Sequence, residues 1–234
     1  MMEKDTRGGT GMAVAEKLQW LWEECLELLF PQRCCFCRRL TGKGELVCKL
    51  CRKKYPDLPS NAQLRELQRD LKCYSPLRYG GAVRDALLRY KFWNTPAYAP
   101  AFGDFMVRCL DENAVTCDVV TWVPLSRKRL RTRGYDQARL LAEEVAAREG
   151  WPIKALLIKP RNTKAQSGLK SREQRQANAA GAYRVIEEQE IAGKHILLVD
   201  DIVTSGATLR ECARILRQAG ASSVTAVTAA ARTD

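Results

Sequence analysis

The segment ILLVDDIVTSGATLRECARIL, residues 196–216, combines a strand, a turn and a helix in one short pattern. Residues 196–199 are all apolar, as expected for a central strand that is buried on both faces. Asp200 and Asp201 follow at the carboxyl end of this predicted strand, where ligands bind in open α/β sheets. The segment therefore predicts both the fold class and the position of a ligand site.

The turn after the aspartates has the composition of a phosphate-binding site. It supplies successive backbone N–H groups, three hydroxyls and a glycine, and a helix begins directly behind it. Its residues are Thr204, Ser205, Gly206, Ala207 and Thr208. Because carboxylates would repel phosphate, we expect Asp200 and Asp201 to face sugar hydroxyls, directly or through magnesium. The alternative is a generic strand–turn–helix with polar surface residues.

Strands alternate with helices along the chain, which predicts a parallel, doubly wound α/β sheet. We predict strands at residues 119–123, 156–158, 196–199 and 224–228, and helices at residues 98–110, 136–148 and 209–219. An amphipathic helix precedes them and ends at Pro31, and its acidic polar face favours packing on the protein over a membrane surface. The predicted units are this helix at residues 13–30, a ribbon at 31–58 and a main domain at 74–234.

The cysteines between residues 34 and 51 form two C-x-x-C pairs with ten residues between them. Each pair can aim two thiolates at one point, and two pairs give the tetrahedral four-thiolate site that zinc favours. The predicted ligands of a structural zinc are Cys34, Cys37, Cys48 and Cys51. Cys35 is predicted to be dispensable, and reduced cysteines without metal are the alternative.

The net charge of +12 comes largely from two short stretches. SRKRLRTRG, residues 126–134, and KPRNTKAQSGLKSREQR, residues 159–175, together hold ten of these charges. Concentrated positive charge indicates a phosphate-bearing ligand, either a pyrophosphate or a nucleic acid. The residues that we assign to this role are Arg127, Lys128, Arg129, Arg131, Arg133, Lys164, Lys170, Arg172 and Arg175. Trp93, Trp122 and Tyr135 are available to stack on unpaired bases.

The 234-residue chain is 46% apolar and 28% charged, which is typical of a globular protein. Its apolar runs are shorter than the ~18 residues that a membrane span needs. Its first residues lack the apolar stretch of a signal peptide. We therefore expect a cytoplasmic protein, in which clustered cysteines bind metal more often than they form disulfides.

Four segments resemble known families. VDDIVTSGAT, residues 199–208, is similar to the ribose-phosphate motif of type I phosphoribosyltransferases. VPLSRKRLRTRGYDQARLLAEE, RNTKAQSGLKSREQRQANAAGAY and LRYGGAVRDALLRYKF resemble segments of the ComF-type competence proteins, which also carry an amino-terminal zinc ribbon. The sequence departs from that pattern with a single set of paired cysteines, with Asp136 in place of an asparagine, and with Thr204 in place of an acidic general base of purine-salvage relatives.

The resemblance implies a type I phosphoribosyltransferase fold that binds phosphoribosyl pyrophosphate with magnesium. Asp200 and Asp201 would be the catalytic residues if the protein turns over, and residues 204–208 would hold the phosphate. The family further implies a role with incoming single-stranded DNA in natural transformation, with a competence helicase as partner. Two alternatives stay open: a metabolic phosphoribosyltransferase with a small acceptor, and a non-catalytic regulator that senses the sugar phosphate.

Overall fold

The computed structural model describes residues 16–19, 21–22, 31–55, 57–160, 179–186 and 188–232. The strands are β1 (Leu64–Gln68), β2 (Leu71–Tyr74), β3 (Leu77–Arg78), β4 (Val119–Trp122), β5 (Leu157–Ile158), β6 (Arg184–Val185), β7 (His195–Val203) and β8 (Ser223–Ala231). The main sheet has the order β1-β2-β8-β7-β4, with β3 also paired to β8. Its pairs are parallel except for the antiparallel β1–β2 pair at one edge.

Helices cover both faces of this sheet. The helices with defined bounds are α1 (Lys49–Lys54), α2 (Ser60–Gln63), α3 (Gly81–Phe92), α4 (Ala99–Glu112), α5 (Arg127–Arg133), α6 (Gln137–Glu149) and α7 (Ala207–Gln218). Short 3-10 turns occupy Pro96–Tyr98 and Glu188–Glu190. None of the described helices has the length and apolar character needed to cross a bilayer.

The central strand β7 separates two hydrophobic cores. Leu197 and Val199 point into the core that contains α4 and α6, whereas Ile196 and Leu198 point into the core that contains α7. These four side chains are at most 1% exposed. Alternation along a strand therefore explains why the apolar run in the sequence has no polar face.

The α/β fold predicted from the sequence is confirmed, and the elements differ in detail. The helices predicted at 98–110, 136–148 and 209–219 correspond to α4, α6 and α7. The strand predicted at 196–199 continues to Val203, so both aspartates lie within β7. The strand predicted at 156–158 pairs antiparallel with β6, outside the main sheet. Most of the helix predicted at 13–30 lies outside the described residues.

The cysteine-rich ribbon packs on the main body through Phe36. The Phe36 ring makes an edge contact with Phe102 at a centroid distance of 6.4 Å and lies 6.0 Å from Phe105, both on α4. Arg89 of α3 donates hydrogen bonds to the carbonyl groups of Cys35 and Phe36 at 2.7 and 3.2 Å. The buried residues of the ribbon therefore join the core that covers one face of the sheet.

We predict that Gly103→Ala lowers stability at the contact between α4 and α6. A Cβ at Gly103 would lie 2.7 Å from Cβ of Glu144, an atom held by the backbone of α6. Alanine gains about 1 kcal/mol in a helix interior, but this overlap costs about 1–3 kcal/mol, so the unfavourable term prevails. The urea midpoint of the variant should fall, whereas Gly42→Ala, where no atom lies within 4 Å, serves as the control. A midpoint above that of the wild type would contradict the prediction.

Candidate functional site

A cleft of about 370 Å³ opens at the carboxyl edge of the main sheet. Its floor is formed by the ends of β4 and β7 and by the turn that begins α7. Its walls come from α3, α5, Lys159 and Tyr183. The cleft contains both predicted aspartates and every residue of the predicted phosphate-binding turn.

Strand alternation sends the two aspartates in opposite directions. Asp201 is 8% exposed, and its Oδ1 lies 2.9 Å from Nζ of Lys91, on the side of α3. Asp200 faces the other side, where its charge acts on Lys159 and Tyr183, and its Oδ1 accepts a hydrogen bond from the Asp201 amide at 2.8 Å. Burial, together with the charge of Asp201, raises the pKa of Asp200 well above its ordinary value.

The turn at residues 204–206 is fixed from behind by two arginines. Arg65 of β1 donates to the carbonyl group of Thr204 at 2.9 Å, and Arg210 of α7 donates to that of Ser205 at 2.7 Å. Gly206 has a φ of +71°, and a Cβ there would meet Leu67 at 2.8 Å. Only glycine fits this conformation and this contact. The backbone N–H groups at the start of α7 are thus held in place, and groups of this kind can bind an anion.

Asp136 joins the loop after β4 to the start of α6. Its carboxylate caps α6 by accepting from the Arg139 amide at 3.4 Å, and it also accepts from the Leu125 amide at 2.9 Å. Each of these backbone N–H groups donates to a different carboxylate oxygen of Asp136. An aspartate supplies two acceptor oxygens, whereas an asparagine supplies one. Burial raises the pKa of Asp136, and the nearby charge of Asp201 adds to this effect.

The first basic stretch forms helix α5, with Ser126 as its N-cap. Helical spacing divides its charged residues into two groups. Arg129 and Arg133 are half-buried and line the cleft, and the Arg133 guanidinium lies 4.9 Å from the centroid of the Phe92 ring. The other three are exposed, namely Arg127, Lys128 and Arg131. The predicted residues Lys164, Lys170, Arg172 and Arg175 lie outside the described residues.

Several site residues were not assigned a role from the sequence. Lys91 is the penultimate residue of the segment LRYGGAVRDALLRYKF, and Lys159 begins the second basic stretch, so both lie within motifs of the sequence. Tyr183 ends another of those segments. Arg65 lies on β1, which was not predicted, and no pattern in the sequence marks it.

The four predicted metal ligands lie together. The Sγ atoms of Cys34, Cys37, Cys48 and Cys51 are all within 4.8 Å of one another. Cys37 and Cys48 are 3.6 Å apart at sulfur, close to the separation of about 3.8 Å that tetrahedral Zn–S bonds of 2.3 Å require. Cys35 is buried outside this cluster, and burial raises the pKa of its thiol. The cluster can therefore hold a metal such as zinc.

Comparison with known proteins adds to this geometry. The family model for the phosphoribosyl transferase domain matches residues 136–234. DNA utilization protein YhgH of Escherichia coli (strain K12) is 27% identical over 222 residues, which cover 91% of this chain and 96% of that protein. Competence protein ComFC of Streptococcus pneumoniae is 33% identical over 146 residues, 62% of each chain. Competence protein F of Haemophilus influenzae is 33% identical over 100 residues, 42% of this chain and 43% of that protein.

The family match covers the carboxyl-terminal region that contains Asp136, both aspartates of β7 and the turn before α7. The relatives extend the similarity to the amino-terminal region with its cysteine cluster. The chain is therefore similar to the ComF-type competence proteins, and it has a type I phosphoribosyltransferase fold.

Proposed function

We propose that this protein binds phosphoribosyl pyrophosphate with magnesium in the cleft and binds single-stranded DNA on the adjoining basic surface during DNA uptake. The observation that carries the proposal is the pair Asp200 and Asp201, placed in one cleft with the turn at residues 204–208. The carboxylates suit ribose hydroxyls or magnesium, and the turn suits a phosphate. The names of the relatives, which refer to competence and DNA utilization, support the biological role.

Different cleft residues bind different parts of the ligand. Residues 204–208 bind the 5-phosphate, and Asp200 and Asp201 orient the ribose ring through its hydroxyls. Arg129 and Arg133 stabilise the pyrophosphate, on which negative charge would grow if it left C1. Magnesium, when bound with the ligand, neutralises pyrophosphate charge. Lys91 forms an ion pair with Asp201 in the structure, so this lysine also lies beside the bound ribose.

The solvent-facing side of α5 favours nucleic acid as the second ligand. Arg127, Lys128 and Arg131 are exposed and are not among the residues that line the cleft, so a pyrophosphate bound in the cleft would not need them. Among the aromatic residues proposed for stacking, Trp93 is 69% exposed at the end of α3. Trp122 lies below the Arg139 guanidinium, and the Tyr135 hydroxyl donates to the Tyr90 carbonyl group. Trp93 is therefore the best placed to stack on an unpaired base.

A metabolic phosphoribosyltransferase with a small-molecule acceptor is the second candidate. Arg129 and Arg133 favour it, because their position in the cleft matches a pyrophosphate leaving group. Thr204 cannot accept a proton at neutral pH, so the acceptor would have to react without an acidic base at that position. A competence helicase as protein partner rests on the family resemblance alone.

We predict that replacing both aspartates with asparagine abolishes magnesium-dependent binding of phosphoribosyl pyrophosphate, because the oxygen ligands lose their charge. Isothermal titration calorimetry with and without magnesium measures this effect. Asp85→Asn on α3, where the exposed carboxylate pairs with Arg84, is the matched control and should bind as the wild type does. Unchanged magnesium-dependent affinity in the double variant would remove the assignment.

The single variants should differ in stability. Asp200→Asn removes a carboxylate whose ionised form is disfavoured by burial, so its melting temperature should hold or rise. Asp201→Asn leaves Lys91 without its carboxylate partner, so its melting temperature should fall.

We predict that exchanging Arg127, Lys128 and Arg131 for alanine weakens binding of single-stranded DNA and leaves binding of phosphoribosyl pyrophosphate unchanged. The slope of log affinity against log salt should flatten by ~0.7 for each phosphate that the variant no longer neutralises. The matched control exchanges three exposed lysines elsewhere, Lys53, Lys54 and Lys72.

A further variant separates stacking from charge. Trp93→Ala should cost about 1–3 kcal/mol on single-stranded DNA without changing the salt slope, and should have little effect on double-stranded DNA. If the affinity of the wild type for single-stranded DNA does not depend on salt, or if the triple variant keeps the wild-type slope, the proposed DNA-binding surface is wrong. The metabolic alternative is then preferred.

We predict one structural zinc per chain, held by Cys34, Cys37, Cys48 and Cys51. Cys48→Ser should release the metal and lower the melting temperature, because the ribbon has little core of its own. Cys35→Ala should keep the metal, since Cys35 lies outside the cluster. Elemental analysis of protein purified without chelator measures both variants, and wild-type protein without zinc would refute the site.

A further inference from the structure

Lys159 is a buried cation at the carboxyl edge of the sheet. It is 8% exposed and pairs in parallel with Ser126, so it lies beside the loop that follows β4. Its Nζ donates to the Tyr183 hydroxyl at 2.9 Å and lies 4.6 Å from the centroid of the same ring. In the described part of the chain, no carboxylate oxygen lies within ion-pair distance of this ammonium group.

The groups around Lys159 do not neutralise it. Arg129 of α5 adds a second positive charge, and Asp200 of β7 acts on Lys159 only from beyond ion-pair distance. Tyr183 and Cys212 of α7 are neutral, because burial raises the pKa of both groups. Burial, with Arg129 as a second cause, lowers the pKa of Lys159 to about 8. Such a position costs stability, as is common where a charge serves a ligand.

The same tyrosine connects Lys159 to the phosphate-binding turn. The Tyr183 hydroxyl also forms a hydrogen bond with the Thr208 side chain, at the start of α7. Lys159, Arg129 and Thr208 all line the cleft. Two cations and the amide groups of a helix start therefore converge on one part of the cleft, a combination that suits a phosphate dianion.

We infer that Lys159, positioned by Tyr183, binds a phosphate group of the ligand in the cleft and so completes its anion site. This inference rests on the proposed function, since it assigns one more ligand contact to the same cleft. The 5-phosphate and the pyrophosphate have the same chemistry, and they can be told apart because ribose 5-phosphate carries only the first.

The test compares the affinities of wild type and Lys159→Met for ribose 5-phosphate, pyrophosphate and phosphoribosyl pyrophosphate by calorimetry. Removing a charge-assisted hydrogen bond should weaken binding of phosphoribosyl pyrophosphate by about tenfold to a hundredfold. The smaller ligand whose affinity falls identifies the phosphate that Lys159 binds. Lys159→Arg should retain much of the binding, because the charge is kept.

A melting curve without ligand separates this role from a structural one. Methionine has a similar length and no charge to bury, so Lys159→Met should melt at or above the wild-type temperature while its ligand-induced shift disappears. Lys154→Met is the matched control: that lysine lies on the same segment and pairs with Glu190 at 2.6 Å on the surface. It should leave all three affinities unchanged.

Each outcome decides between the two proposals. If the wild type binds phosphoribosyl pyrophosphate and Lys159→Met binds it equally well, Lys159 is structural and the inference is overturned alone. The same holds if Lys154→Met weakens binding as much. If the wild type binds none of the three ligands, the proposed function fails and this inference fails with it.

Discussion

Burial of β7 on both faces is the constraint on which the site depends. A strand enclosed between two cores and paired on both sides cannot shift its register without moving apolar side chains out of contact. Asp200 and Asp201 are the continuation of that strand, so their position is set by the packing of the residues before them. Alternation then directs Asp201 towards α3 and Asp200 towards α7, which gives the cleft two different sides.

Carboxylates and cations both line the cleft. Burial raises the pKa of Asp136 and of Asp200, and the charge of Asp201 adds to both effects, whereas burial and the charge of Arg129 lower the pKa of Lys159. The ion pair between Lys91 and Asp201 brings the two signs into direct contact. A molecule with hydroxyls or a metal ion at one end and phosphate at the other would satisfy both groups. Local electrostatic cost of this kind is expected where a site is prepared for a ligand.

The sequence predicts those parts of the fold in which local pattern and tertiary environment agree. The apolar run of β7 and the helical periods of α4, α6 and α7 were identified because each pattern already matches its burial. Strand β1 was missed because LRELQ alternates between exposed and half-buried positions without a strong apolar face. Helix α5 is not predicted as a helix, because its sequence RKRLRTR has one apolar residue and so no apolar period.

The candidate site could be predicted only for residues that are adjacent in sequence, since the aspartates and the turn are consecutive. Lys91, Lys159 and Tyr183 reach the cleft from three other segments, and their approach depends on packing between distant residues that no local pattern contains.

Helix α3 connects the cysteine cluster to the cleft. Arg89 bonds the backbone of Cys35 and Phe36, and two residues later Lys91 pairs with Asp201. Between them, the Tyr90 hydroxyl donates to the carbonyl group of Gln137 at 2.9 Å, which fixes the helix against α6. Contacts at three successive residues therefore hold this part of α3 in place. The ribbon is therefore bonded, through Arg89, to the same helix that carries the counter-ion of Asp201.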